Sequence, residues 1–590
     1  MGIRKGTAVA ETHIGPEDQA STIAPAAPLD PAAGPAARPA GPREQETRPQ
    51  RGGWLVIAVP AATSAVVGGY ELGDPSLWRD EAYTKDAIGR PVSQIFALLG
   101  HQDAVHGAYY LFMHIIAAAI GTSATALRFP SLCAMVIATG FTAAIGRRAA
   151  ALTQAPKPTQ APKLTRAPNA EGASRVSTPA LTGLLSGLVF ATAPYMTFYA
   201  QTARSYAIVT MFATIASYLL LRAYPDGRWR WWWAYGAAIA LTGLFNLFAV
   251  LILAAHGVTL LLTDARGRPG SRQPGSGQPG NGRRIGRLPV RWLAVSTAAL
   301  IALGPLLRVA SGQQEQIDWL TRPDLKTIER LFDDFAGSKE LVVPFLLLAL
   351  VGLAASCFAD HWRPLNPAAI ALPWLVVPPF LLIVVSYVKP VYYERYVEFC
   401  LPALAILVGA GLAGIVRLAS AAPLRRRLGR LRLAWTPPVV ATLIVLGLAA
   451  MLVGPQRAIR QTAARPDNLR LASAIVAAHE QPGDVVFYIP LDMQVLGTGY
   501  PAPFLRLRNI ALAESAVASA TLTGLEVTSP AVLKSRFTDV RRVWVVTGGS
   551  NYKFPVPSTP VDKEKLALLA GMHIIGRWQA GEVMLTLYGY

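Results

Sequence analysis

Apolar segments close to twenty residues long recur along most of the chain, separated by polar connections. An α-helix of that length crosses the ~30 Å hydrocarbon core of a bilayer. The pattern therefore predicts an α-helical multi-pass membrane protein with about eleven transmembrane helices. The predicted spans are Trp54–Leu72, Arg128–Gly146, Leu181–Tyr199, Tyr206–Arg222, Trp231–Asn246, Leu247–Leu262, Trp292–Ala310, Leu341–Ala359, Ala368–Tyr387, Phe399–Val416 and Trp435–Gly454.

Arg and Lys concentrate in alternate connections between these spans, and the formal net charge is +20. The positive-inside rule places such connections in the cytoplasm. It predicts a plasma-membrane protein with a cytoplasmic N-terminus and an extracytoplasmic C-terminus. Topology explains the charge, so nucleic-acid binding is not indicated. The predicted cytoplasmic connections are Arg147–Ser177, Arg222–Arg230, Arg266–Arg291, His361–Arg363 and Arg417–Arg432.

The first outer connection contains a further apolar segment, Gly107–Gly121. Counting it as a span would place the basic linker that begins at Arg147 outside, against the positive-inside rule. An amphipathic helix lying in the outer interface fits better, and Arg90–Gly100 fits the same description.

Composition divides the chain into three parts. Residues 1–53 are rich in Pro, Ala, Gly and Arg and are predicted to be a disordered cytoplasmic segment. Residues 54–454 form the transmembrane domain, and residues 455–590 a small extracytoplasmic α/β domain. Its predicted elements are a helix over Leu469–His479, strands over Val485–Ile489 and Val543–Val546, and a hairpin of His573–Trp578 with Val583–Tyr588.

Carboxylates occur at two places in the first outer connection, Asp80 with Glu81 and then Asp103. If they converge over one pocket, one of them could accept a proton from an attacking hydroxyl as a general base. The structural alternative is that Asp80 and Glu81 cap the helix that follows, because acidic side chains complement the positive end of a helix.

Three cations lie at the outer ends of later spans, where the positive-inside rule does not require them: Arg204, Lys389 and Arg395. Arginine binds phosphate through a planar fork of donors, so these residues are candidates for holding a lipid-linked phosphate. The alternatives are a salt bridge to Asp80, Glu394 or Glu398, and simple snorkelling at helix ends.

No metal or cofactor motif is evident. The three cysteines all lie in apolar segments, and no His/Cys/Asp group has zinc-like spacing. We therefore expect no required cofactor and no dedicated metal site. An outer carboxylate pair could still bind Mg²⁺ or Mn²⁺, since both prefer oxygen ligands.

Several ordered motifs resemble the GT-C membrane glycosyltransferases, specifically glycosyltransferase family 39, which includes protein O-mannosyltransferases and the aminoarabinose transferase of lipid A. The likeness covers roughly residues 54–416. The family's Pro-Pro is His106-Gly107 here, and a His often found at one span junction is Asn246. The motifs are Trp78-Arg79-Asp80-Glu81-Ala82-Tyr83, Asp103 to Tyr109-Tyr110, Leu127-Arg128-Phe129-Pro130-Ser131, Ala193-Pro194 to Ala207, and Tyr392-Tyr393-Glu394-Arg395-Tyr396.

The resemblance implies a GT-C-like fold and transfer of a sugar, with mannose favoured, from a polyprenyl-phosphate donor. The acceptor would be the hydroxyl of a glycolipid, polysaccharide or protein at the outer face, with inversion of the anomeric carbon. The resemblance makes Asp80 the base or the residue that orients the acceptor, with Asp103 in support. With the residue pattern, the candidate catalytic residues are Asp80, Glu81 and Asp103, and the candidate phosphate-binding residues are Arg204, Lys389 and Arg395. The donor or acceptor pocket would comprise Trp78, His106, Tyr109, Tyr110, Tyr392 and Tyr393.

Two other classes of protein fit a polytopic chain. A transporter or lipid flippase tends to place charged residues and broken helices near the bilayer midplane, often in repeated halves. Here the spans are nearly free of acids and the candidate residues lie at their outer ends. A non-catalytic scaffold is the third interpretation. The pattern favours the enzyme.

Overall fold

The computed structural model describes residues 53–154, 177–266, 288–358, 365–419, 437–461, 464–548, 557 and 559–590. The predicted disordered segment and most of the predicted cytoplasmic connections lie wholly or partly outside these ranges. The helices are α1 Leu55–Gly69, α2 Arg79–Ile88, α3 Val92–His101, α4 Gly107–Ile120, α5 Ala124–Gln154, α6 Thr178–Thr192, α7 Pro194–Ala200, α8 Tyr206–Asp226, α9 Trp229–Phe245, α10 Ile252–Arg266, α11 Leu288–Ala302, α12 Gly304–Ser311, α13 Leu325–Ala336, α14 Lys339–Phe358, α15 Pro367–Val388, α16 Leu401–Ala419, α17 Pro437–Ala458, α18 Leu469–His479, α19 Pro530–Arg536 and α20 Pro560–Leu568.

The chain is a multi-pass helical membrane protein, as the apolar pattern predicts. Each of the eleven predicted spans falls on a helix or a helix pair. Among the described residues, five helices are long and apolar enough to cross a bilayer, or seven if each bent pair is one span. The full count of eleven therefore stays a prediction.

Two predicted spans are bent, and proline explains where. The axes of α6 and α7 differ by 62°, and those of α11 and α12 by 48°. Pro194 and Pro305 each lie in the first turn of the second helix of the pair. Proline has no N–H to continue the preceding helix but fits a helix start, so the chain restarts in a new direction.

Three helices, α2 to α4, follow α1 and precede α5. The helix α4 has 14 residues, about 21 Å of rise, which is shorter than a membrane span. Its length agrees with the prediction that this segment does not cross the bilayer, and its position in the interface stays a prediction.

The C-terminal residues form the predicted α/β unit. Its strands are β1 Val485–Tyr488, β2 Leu512–Glu514, β3 Leu525–Glu526, β4 Arg542–Gly548, β5 His573–Ala580 and β6 Val583–Gly589. Four of them make a sheet in the order β1-β4-β6-β5, with β1 parallel to β4 and the other pairs antiparallel. The predicted helix, strands and closing hairpin are thus confirmed.

Polar contacts join this unit to α2. Asp467, whose side chain is fully buried, accepts hydrogen bonds from the backbone N–H of Arg79 at 3.0 Å and from its guanidinium at 2.8 Å. Lys85 donates to the carbonyl of Gly499 at 2.7 Å, and Arg90 to that of Thr521 at 2.7 Å. Because these contacts lie on α2 and on Arg90 just after its end, α2 has a defined position relative to the C-terminal unit.

Candidate active site

A cavity of about 900 Å³ lies between the α2–α4 region, the segment 312–319, the loop 393–396 and the C-terminal unit. The carboxylates predicted to converge do so here, and they meet predicted phosphate-binding arginines on the same wall. The predicted residues that line it are Trp78, Asp80, Asp103, His106, Arg204, Tyr393 and Arg395.

Asp80 lies in the first turn of α2 and is paired with Arg395, Oδ2 to Nη1 at 2.5 Å. The guanidinium of Arg395 also stacks over the ring of Tyr393, 4.4 Å from its centroid. Burial alone would raise the pKa of the Asp80 carboxyl, but the charges of Arg395 and Arg204 lower it below its ordinary value. Asp80 is therefore ionised and able to accept a proton at neutral pH.

Arg204 joins Asp80 to a histidine. Its Nη1 contacts the backbone carbonyl of Asp80 at 3.5 Å, and its Nη2 lies 2.9 Å from Nε2 of His106. Burial, and after it the charge of Arg204, lower the pKa of His106 to about 4. The imidazole is therefore neutral at pH 7 and accepts a hydrogen bond from the arginine.

Asp103 is held in place by a tyrosine. The hydroxyl of Tyr110 donates to Oδ2 of Asp103 at 2.5 Å. Asp103 has φ 61°, in the left-handed region that Asp tolerates better than most residues. Tyr110 lies one turn into α4, and its hydrogen bond fixes the carboxylate of Asp103, the residue that precedes the 3₁₀ turn Ala104–His106.

Several donors around the cavity are unused within the described part of the chain. Nε of Arg204, Nε of Arg395, Nδ1 of His106 and Nε1 of Trp78 are buried without a hydrogen-bond partner. Buried donors of this kind are rarely left unpaired in a complete structure. They are available to an oxygen-rich ligand.

Glu81 does not join this site, contrary to the expectation that it takes part in catalysis. It is fully buried and forms a two-bond ion pair with Arg128, at 2.7 and 2.8 Å, and also accepts from the backbone N–H of Ala203. It is absent from the cavity wall. The adjacent carboxylates Asp80 and Glu81 therefore point to different partners. Both lie in the first turn of α2, where acidic side chains complement the positive helix end as the structural alternative expects, although neither caps the helix by a side-chain hydrogen bond.

Other predicted residues support the site or lie beside it. Tyr109 and Tyr392 are buried and do not line the cavity, and Tyr110 lies behind it, in contact with the cavity residues Asp103 and His106. Lys389 pairs with Gln314 and lines a neighbouring pocket instead.

That neighbouring pocket, about 420 Å³, is mostly apolar. Its walls include Phe245, Phe248, Leu307 and Val391, and it shares His106 with the cavity. The apolar pocket, which has Lys389 on its wall, therefore adjoins the cavity that Arg204 and Arg395 line.

Sequence reasoning missed two groups of residues around the site. Arg79 and Tyr83 line the cavity. Both belong to the quoted motif around Asp80, but neither was predicted as a site residue. The C-terminal residues Asp492 and Glu582 also line it, and no local motif marks them. Arg128, the ion-pair partner of Glu81, belongs to the quoted Leu-Arg-Phe-Pro-Ser motif. That motif could therefore have pointed to a partner for Glu81. No group of three or more side chains suited to a metal is present among the described residues.

The architecture is a GT-C-type fold, in which a bundle of apolar helices is joined to a small C-terminal α/β unit. The apo crystal structure of ArnT from Cupriavidus metallidurans superposes with a TM-score of 0.52 at 14% identity, covering 91% of this chain and 98% of that one. The structure of the same protein bound to undecaprenyl phosphate gives 0.51 at 13% identity, with the same coverage.

In sequence, residues 173–274 match the family model described as dolichyl-phosphate-mannose-protein mannosyltransferase. Comparison with curated proteins returns no match. The resemblance to GT-C glycosyltransferases is thus confirmed for the fold and for one stretch of sequence.

Proposed function

We propose that this protein is a glycosyltransferase that moves a sugar, with mannose favoured, from a polyprenyl-phosphate donor to an acceptor hydroxyl at the outer face of the membrane. One observation carries the proposal. Asp80, Asp103, Arg204 and Arg395 line a single cavity that adjoins an apolar pocket. The similarity to a protein crystallised with undecaprenyl phosphate is consistent with such a donor.

The two pockets match the two parts of the donor. The prenyl chain would occupy the apolar pocket lined by Phe245, Phe248 and Leu307, and the phosphate would lie at its junction with the cavity. Arg204 and Arg395 line the adjoining cavity, and the Nε of each has no hydrogen-bond partner among the described residues. Charge-assisted bonds from guanidinium groups to phosphate are strong and directional, so these arginines would hold and neutralise the leaving group.

The Asp80–Arg395 pair couples donor binding to catalysis. A phosphate entering the site competes with Asp80 for the guanidinium of Arg395, which releases the carboxylate to face the acceptor. Asp80 then takes the acceptor proton as the new bond to the anomeric carbon forms. The bond from that carbon to the phosphate oxygen breaks in the same step, so the configuration inverts. Asp103, fixed by Tyr110, orients the acceptor.

We place the cavity on the outer side because the Arg- and Lys-rich connections are at the opposite ends of the spans. In this mechanism the arginines neutralise the phosphate and no cofactor is required. A divalent cation held by Asp80 and Asp103 is the alternative, and activity after treatment with EDTA distinguishes the two.

The test uses membranes that contain the protein and polyprenyl-phosphate-[³H]mannose. We expect label to move from the lipid to a membrane or envelope acceptor at a rate that depends on the protein. Transfer from a nucleotide-sugar only, or movement of the intact donor across the membrane without transfer, would contradict the proposal. The second result would indicate a flippase.

A further inference from the structure

We propose that the C-terminal unit forms the acceptor wall of the cavity and selects a neutral, hydroxyl-rich carbohydrate over an anionic acceptor. This inference rests on the proposed function and adds the class of acceptor. The acceptor wall consists of Asp492, Met493, Leu496, Leu522, Thr523 and Glu582.

The acceptor wall is held in position before any substrate arrives. It faces α2, whose Arg79 binds Asp467 through both its backbone and its guanidinium. The side-chain amide of Gln102 accepts a hydrogen bond from the backbone N–H of Leu522 at 3.0 Å, so the wall is also tied to the first outer connection. A site on such rigid supports needs little reordering on binding.

The two sides of the cavity differ in charge. The donor side has Arg204 and Arg395, whereas the side next to the acceptor wall has Asp492 and Glu582. Its nearest cation, Arg79, is already paired with the buried Asp467 and lies 3.5 Å from Glu582. The carboxylates of Asp467, Glu582 and Asp492 therefore outnumber this single guanidinium. Burial raises the pKa of Asp492, and the charge of Arg79 opposes that rise.

This excess disfavours a phosphorylated acceptor, since like charges at short range in a partly desolvated cavity repel strongly. It suits hydroxyl groups, because a hydroxyl that donates to a carboxylate makes a charge-assisted hydrogen bond. Within the described part of the chain, no hydrogen bond or ion pair occupies the exposed carboxylate of Asp492.

A second observation points to a ligand at the same place. Trp78 is 8% exposed and lines the cavity next to Arg79, yet its indole N–H has no hydrogen-bond partner among the described residues. The ring of Tyr83 lines the cavity beside it. A sugar supplies what these groups lack, an oxygen for the indole N–H and C–H faces for the rings.

An extended peptide acceptor is less well matched. Peptides commonly bind folded domains by adding a strand to a free sheet edge. The acceptor wall has no such edge: Asp492 lies in the 3₁₀ helix Leu491–Gly497, Thr523 lies between β2 and β3, and Glu582 lies in the turn between β5 and β6.

The test compares three acceptors with the full-length protein in detergent–lipid micelles and polyprenyl-phosphate-[³H]mannose as donor. They are octyl mannobioside, its phosphorylated counterpart and a Ser/Thr-containing peptide. We expect the neutral glycoside to be used at least ten times more efficiently than the phosphorylated one. Equal or better use of the phosphorylated glycoside, or transfer to the peptide alone, would overturn the inference.

Variants locate the effect. Asp492→Asn and Glu582→Gln should each raise KM for the neutral glycoside several-fold and reduce the preference over the phosphorylated one. Asp539→Asn, an exposed carboxylate outside the cavity, is the matched control and should behave as wild type. Unchanged KM and preference in both wall variants would contradict the role of the acceptor wall.

A binding measurement separates this inference from the proposed function. Octyl mannobioside should quench tryptophan fluorescence of the donor-free protein, and Trp78→Phe should remove most of that quenching. If the donor is never consumed, with or without acceptor, the proposed function fails. If it is consumed but the glycoside neither binds nor accepts, only the acceptor assignment fails.

Discussion

The buried pair of Glu81 and Arg128 gives a prediction that separates positioning from catalysis. Both side chains have no exposed surface, and Arg128 also donates to the carbonyls of Leu72, Pro75 and Ser76. Removing one member of such a pair leaves an uncompensated buried charge and typically costs about 3–5 kcal/mol. We therefore expect Glu81→Gln to lower the free energy of unfolding by roughly that amount.

The assay is SDS-induced unfolding in mixed micelles, with transfer activity measured on the fraction that remains folded. Glu81→Gln should lose stability and lose activity only in proportion to misfolding. Arg128→Met should be similar, and the double variant Glu81→Gln/Arg128→Met should be less unstable than the sum of the two, because it buries no charge. Wild-type stability together with loss of turnover in Glu81→Gln would refute this reasoning and would return Glu81 to the catalytic group.

Three further predictions concern the cavity. The pKa of Asp80 is lowered below its ordinary value by Arg395 and Arg204, so its base form persists on acidification and kcat/KM should not fall between pH 8 and pH 5 on its account. Arg395→Gln removes the charge that most lowers the pKa of Asp80, so we expect that pKa to rise and the acid limb of the pH–rate profile to move to higher pH. An acid limb at the wild-type pH would contradict the pairing of Asp80 with Arg395. Tyr110→Phe removes a hydrogen bond to the carboxylate of Asp103, for which we expect a roughly 10- to 100-fold fall in kcat of the folded protein, measured against Tyr109→Phe as control. Arg79→Ala should weaken attachment of the C-terminal unit, and faster proteolysis after α17 than in wild type would show it.

The membrane fold could be predicted because its signal is local. Segment length and apolar composition place the helices, and the hairpin around Gly581 has a short turn between strands of alternating pattern. Gly581 has φ 68°, a conformation that glycine adopts without strain.

The partners within the site could be predicted only in part. Arg395 and Asp80 are 315 residues apart, and which of three carboxylates the arginine binds depends on how α15 and α16 pack against the α2 region. Asp80 and Glu81 are neighbours in sequence, so their spacing predicted the same catalytic role for both. In the structure they lie on different sides of α2 and bind different arginines. The acceptor wall is harder to predict, because Asp492 belongs to a C-terminal unit that reaches the cavity through tertiary contacts with α2 and with Gln102.

Asp80→Asn is the substitution that tests the central claim most directly. Its amide keeps the shape of the side chain but cannot accept the acceptor proton. We predict that purified Asp80→Asn protein binds polyprenyl-phosphate-mannose, unfolds at wild-type SDS concentration and loses at least 10²-fold in transfer rate, in the range of a lost general base. Transfer at the wild-type rate by a folded, donor-binding Asp80→Asn protein would contradict the account.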